Sequence, residues 1–120
     1  MDYRQYGKFD FTDANDAAIK AGADWNTTLT YTDVNGTAKD LTGYAGYMQI
    51  RASANGAKLG DVTVTITAAT GEVALSLTAA QTLELRGQGG VYDLYLKSTT
   101  EKVCLLQGNV EILSNVTEVP

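Results

Sequence analysis

Histidine is absent from the 120 residues, and cysteine, proline and tryptophan occur once each. Without histidine the commonest general base is missing, and Ser-His-Asp and Cys-His arrangements are excluded outright. The single cysteine, Cys104, rules out an intramolecular disulfide, so packing alone must hold the fold. Basic residues are scarce: 9 Lys and Arg face 14 Asp and Glu, and a net charge of −5 is the wrong sign for gripping nucleic-acid phosphates or anionic lipid. No stretch approaches the ~20 apolar residues that span a bilayer. The start, MDYRQYGKFDF, has acids where a signal peptide needs an apolar run. The expectation is a product made in the cytoplasm, with neither a membrane nor a nucleic acid as partner.

Hydrophobic residues make up 44% and charged residues 19%, enough to fill one core and too little charge for a disordered chain. Alternation at period two marks strands with one buried face. Trp25, Leu29 and Tyr31 share one parity, and Asn26, Thr28, Thr30 and Thr32 the other. Asp33-Val34-Asn35-Gly36 then supplies a tight turn, read as a reversal into the next strand. There Tyr44, Met48 and Ile50 alternate with Tyr47, Gln49 and Arg51, and Ser53 to Gly56 closes the strand. Val62, Val64 and Ile66 alternate with Thr63, Thr65 and Thr67 in a β-branched run, and Val73, Leu75 and Leu77 complete a hairpin with it. Thr78 followed three residues later by Gln81 is a capping box, which predicts one short helix over about residues 78–86 with Gly87 at its end. Tyr92, Leu94 and Leu96, then Cys104, Leu106, Val110 and Ile112, read as the last two strands.

This spacing predicts an all-β, immunoglobulin-like antiparallel sandwich of about seven or eight strands, with the helix before the sixth. Residues 25–120 form the sandwich, and residues 1–24 an N-terminal strand or arm, a possible docking element, within one domain. In the latter, Tyr3, Phe9 and Phe11 suggest a strand, and 13–22 a loop or one helical turn. The predicted core includes Trp25, Ile50, Val64, Leu75, Tyr92, Leu94 and Leu106. Tyr92 sits where such sandwiches place a corner tyrosine bonded to the helix-side backbone. Tyr44 and Tyr47 point to opposite faces, so Tyr47, with Tyr3 and Tyr6, is a candidate partner contact.

The remaining polar motifs read as structural. Cys104 has the apolar parity of its strand and reads as a core side chain. Asp10, Asp13, Asp16 and Asp24, with Asn15, offer oxygen ligands but fit no calcium loop, and Asp33-Val34-Asn35-Gly36 lacks the rest of an EF-hand. Gly87-Gln88-Gly89-Gly90 follows a helix and precedes a strand, the reverse of a phosphate loop, and reads as a flexible connector. No metal or cofactor is expected. The acid pair Asp61 and Glu72 would serve an enzyme only by converging in a pocket.

Asp40-Leu41-Thr42-Gly43-Tyr44, Met48-Gln49-Ile50-Arg51, Val91-Tyr92-Asp93-Leu94, Leu105-Leu106-Gln107-Gly108-Asn109-Val110 and Val116-Thr117 occur in this order. This pattern resembles small tailed-phage and prophage structural proteins and is similar to the N-terminal domain of baseplate upper proteins, over about residues 25–117. The resemblance implies an immunoglobulin-like sandwich that docks into the tail, baseplate or adhesin region of a virion, often as an adaptor carrying further domains. The end of this chain near Pro120 favours instead a decoration, collar or tail accessory role. The expected function is thus that of a non-enzymatic virion protein with other virion proteins as partners, repeated as a homo-oligomer or in many copies. The alternative is a carbohydrate or host-surface binding module.

Overall fold

The computed structural model describes residues 2–3, 7–33 and 35–119, with Asp2 and Tyr3 as backbone only. Nine strands are formed among them: β1 (Asp2–Tyr3), β2 (Gly7–Lys8), β3 (Ile19–Lys20), β4 (Trp25–Tyr31), β5 (Ala45–Arg51), β6 (Lys58–Thr67), β7 (Glu72–Leu77), β8 (Gly89–Lys97) and β9 (Lys102–Leu113). One helix, α1 (Ala79–Glu84), precedes β8. Its capping box is present: Thr78 Oγ1 accepts from the Gln81 N–H, and the Gln81 side chain accepts from the Thr78 N–H.

The strands run in the order β1-β4-β7-β6-β5-β8-β9-β2, with β3 also on β9. β6 is shared. Its first half pairs with β5 and its second half with β7, so one curled mixed sheet folds into two layers, β4-β7-β6 and β6-β5-β8-β9. The long strands pair antiparallel, whereas β2 and β3 run parallel to β9. This is an all-β, immunoglobulin-like sandwich. Period-two alternation supplies its interior: Leu29, Val73 and Leu75 from one layer meet Ile50, Leu94, Leu96 and Leu106 from the other, all fully buried.

Several expectations change in three dimensions. The Asp33 turn forms, with Asp33 Oδ1 accepting the N–H groups of Asn35 and Thr37, but it closes only a local bridge between Thr32 and Ala38. β4 pairs with β7 rather than β5, because the chain next crosses between layers through the buried Leu41. Trp25 and Val64, placed in the core by parity, are half-buried. Trp25 opens β4 and is covered edge-on by Phe11, 5.3 Å away, while Val64 stands at the corner where β6 leaves β5 for β7. Gly89 and Gly90, read as connector, are the first two residues of β8, paired with Glu111 and Val110. A Cβ on Gly90 would lie 2.0 Å from the Arg51 carbonyl oxygen, so only glycine lets β5 and β8 close at this end.

The segment before β4 packs along β9. Phe11, Ile19 and Ala21 are buried, Phe11 bridges Val110, and a single 3₁₀ turn covers Asp13–Asn15. Gly108 makes this possible, since a side chain there would strike the Phe9 carbonyl oxygen, 2.0 Å from a Cβ. The Tyr92 hydroxyl donates to that same oxygen at 2.6 Å. The corner tyrosine therefore ties the sheet to the N-terminal segment and not to the helix-side backbone. Tyr92 lies inside β8 facing β9, and Phe9 is the backbone its hydroxyl can reach.

Candidate interaction surface

A sheet that buries one face displays the other, and the two layers display different things. On β4-β7-β6 the outward side chains are Asn26, Thr28, Thr30, Thr63, Thr65, Thr67, Ala74 and Ser76, all short and uncharged, with Glu72 at one end. On β5-β8-β9, strand register sets four rows across the layer: Ala45–Lys97–Lys102, Tyr47–Tyr95–Cys104, Gln49–Asp93–Gln107 and Arg51–Val91–Asn109. Lys8 on β2 extends the third row beside Gln107. Tyr47 is 57% exposed and its cross-strand partner Tyr95 37%, so two aromatic rings stand side by side on an open face.

Polar contacts organise the lower rows. Arg51 spans the Gln49 side-chain oxygen with Nη2 at 2.8 Å and Nε at 3.2 Å, and its Nη1 donates to the Gly56 carbonyl at 2.8 Å. The guanidinium is thereby held along the face beside Asp93 and Asn109, which line the same shallow depression. A second depression, lined by Tyr47, Gln49, Asp93, Tyr95, Lys97 and Lys102, adjoins it.

Cys104 belongs to this outer face, contrary to its expected parity. The ladder slips between Leu94 and Tyr95, so that Leu94 faces Leu106, Tyr95 faces Cys104, and Leu105 is the extra residue. Leu105 and Leu106 are both fully buried, and Cys104 is turned outward to half-burial. Burial, helped by the nearby charge of Asp93, pushes the thiol pKa up, which makes it a poor nucleophile at neutral pH.

A second polar cluster ties the layers together at one end. Lys39 Nζ lies 3.4 Å from Glu101 and sits 5.4 Å from the Tyr31 ring centroid and 5.6 Å from that of Tyr44. The Tyr44 hydroxyl donates to Glu101. The Tyr44 hydrogen bond and then Lys39 hold the Glu101 carboxyl below its ordinary range, and burial raises the Tyr31 phenol. Strand parity accounts for Tyr44 alone, and no local pattern marks this cluster, whose members are up to 70 residues apart.

Tyr47 is thus an exposed candidate contact. Tyr6 lies outside the described residues, and Tyr3 is placed only by its backbone, opposite Tyr31. Two of the N-terminal acids serve as structural acceptors: Asp10 Oδ1 accepts from the backbone and side chain of Asn109, and Asp24 caps the Ala79 N–H. Asp61 pairs with Lys58 at 3.0 Å and Glu72 accepts from Thr70, at opposite ends of β6, so these two acids do not converge. Among the described residues, no group of three or more Asp, Glu or Cys is arranged to hold a metal, and no helix is long and apolar enough to cross a membrane.

No family model and no curated protein matches the sequence. Similar solved structures exist. One is the N-terminal domain of phage TP901-1 ORF48, at 11% identity over 94% of this chain and 99% of that one, with a TM-score of 0.47. Another is the ZIG-8–RIG-5 IG1–IG1 heterodimer, at 11% identity over 89% of this chain and 82% of that one, with a TM-score of 0.40.

Proposed function

We propose that the protein is a non-enzymatic structural component of a tailed-phage virion, in its tail, baseplate, collar or decoration layer, acting through protein–protein contacts. The observation that carries the contact role is the open β5-β8-β9 face with its tyrosine pair. Aromatic and arginine side chains held on a rigid scaffold are the groups that dominate protein recognition. The phage assignment draws its support from the ordered motifs between Asp40 and Thr117. Among their apolar members Leu41, Ile50, Leu94, Leu105 and Val110 are core, while Gln49, Arg51, Asp93, Gln107 and Asn109 lie on the open face. The family-like residues therefore build both the sandwich and the surface offered to partners. The scattered acids and the raised thiol speak against catalysis.

Proteomics of purified virions, with labelled imaging of the particle, tests the reading. It predicts the protein in intact particles in multiple copies, and absence from them overturns it. Tyr47 and Tyr95 beside Asp93 also suit a sugar ring. Binding of the isolated protein to a glycan array, lost in Tyr47→Ser, would favour the host-surface alternative.

A further inference from the structure

We propose that the open β5-β8-β9 face is self-complementary, and that its partner is the same face of a second copy of this chain. On β8 the order is Asp93, Tyr95, Lys97, all outward and exposed. The two opposite charges thus stand two residues, roughly 7 Å, on either side of Tyr95. Consider two such faces related by a twofold axis that lies between them and crosses the strands. Tyr95 then meets Tyr95 and Tyr47 meets Tyr47, while each Lys97 meets the other copy's Asp93. On β9, Lys102 by the same operation meets Gln107, because Lys102 is in register with Lys97 and Gln107 with Asp93. A twofold axis along the strands would instead set like charges opposite each other, so the charge order selects one dimer geometry.

The outer face of β4-β7-β6 has no such pattern, its side chains being short and almost uncharged. Size sets the strength. Three strands at ~4.8 Å spacing and seven residues at ~3.3 Å cover roughly 330 Å² a side, well below the ~800 Å² a side of a standard interface, which places the contact with small, transient ones. Such a contact is weak in free solution and is reinforced when copies are held together in a particle.

The inference rests on the reading of this face as a protein contact, but not on the phage assignment. Sedimentation velocity of the full chain over a wide concentration range should show the monomer shifting toward twice its mass. Asp93→Lys and Lys97→Asp should each weaken association at least ~100-fold, because either change creates two like-charge pairs per dimer. The double variant Asp93→Lys/Lys97→Asp restores opposite charges across the axis and should recover association. Tyr47→Ser should weaken it with an unchanged thermal midpoint, which controls for folding. A protein that stays monomeric at every concentration overturns the proposal. So does a dimer that ignores the charge reversals or is not rescued by the double variant, and so does Tyr47-dependent glycan binding without self-association. A monomeric protein recovered in purified virions would sink this inference and leave the virion reading standing.

Discussion

The two layers of the sandwich are built alike inside and unlike outside. Both bury Leu, Val and Ile at period two, yet one shows solvent a lawn of threonine and serine while the other shows tyrosine, lysine, arginine and aspartate. Interior patterning answers to packing, which any sandwich needs, so it says little about purpose. Exterior patterning is free of that demand. Large side chains left exposed on one layer and withheld from the other are therefore what single out the face proposed for recognition.

The sharpest challenge to this comparison is to show the interiors unequal. Leu75→Ala in one layer and Leu94→Ala in the other should each cost about 2–5 kcal/mol in urea denaturation, since both side chains are fully buried. A loss confined to one layer would mean that the sheets do not share a core. Gly90→Ala separates the layers next. Its Cβ collides with the Arg51 carbonyl, so about 1–3 kcal/mol should be lost, and amide exchange should quicken in β5 and β8 before β4 and β7.

Tyr92→Phe removes the hydrogen bond that fastens the N-terminal segment to the second layer. It should cost ~1 kcal/mol, with faster amide exchange at Phe9 and Phe11 while β4 and β7 are unaffected.

The smallest effect belongs to the cluster that spans both layers. The folded-state pKa of Glu101 lies below its unfolded value, so its stabilisation is complete above the ordinary carboxylate range and fades as pH falls through the lowered folded value. Glu101→Gln should therefore be less stable than the parent near neutral pH, and the gap should close on acidification. A gap that widens toward acid would contradict the arrangement of Lys39, Tyr44 and Glu101.

Much of the fold was legible because its code is local. Alternation located the six long strands, Thr78 with Gln81 marked the helix start, and Ile50, Leu75, Tyr92, Leu94 and Leu106 are buried as their parity requires. The open face was legible in part: Tyr47 was singled out, whereas Tyr95 was not. The apolar signal of its strand comes from Tyr92, Leu94 and Leu96, and the opposite parity of the same strand carries Asp93, Tyr95 and Lys97.

The sequence by itself determined the buried parity of most of the long strands, where the chain turns, and that histidine-based catalysis is unavailable. Only the tertiary structure decided that β4 joins β7, that a slip at Leu105 turns Cys104 outward, and that Tyr92 bonds to Phe9. The reason is physical. Periodicity records the solvent preference of successive residues, but a ladder's partner is chosen by whole faces packing together. One extra residue then inverts every parity beyond it without leaving a mark in the composition.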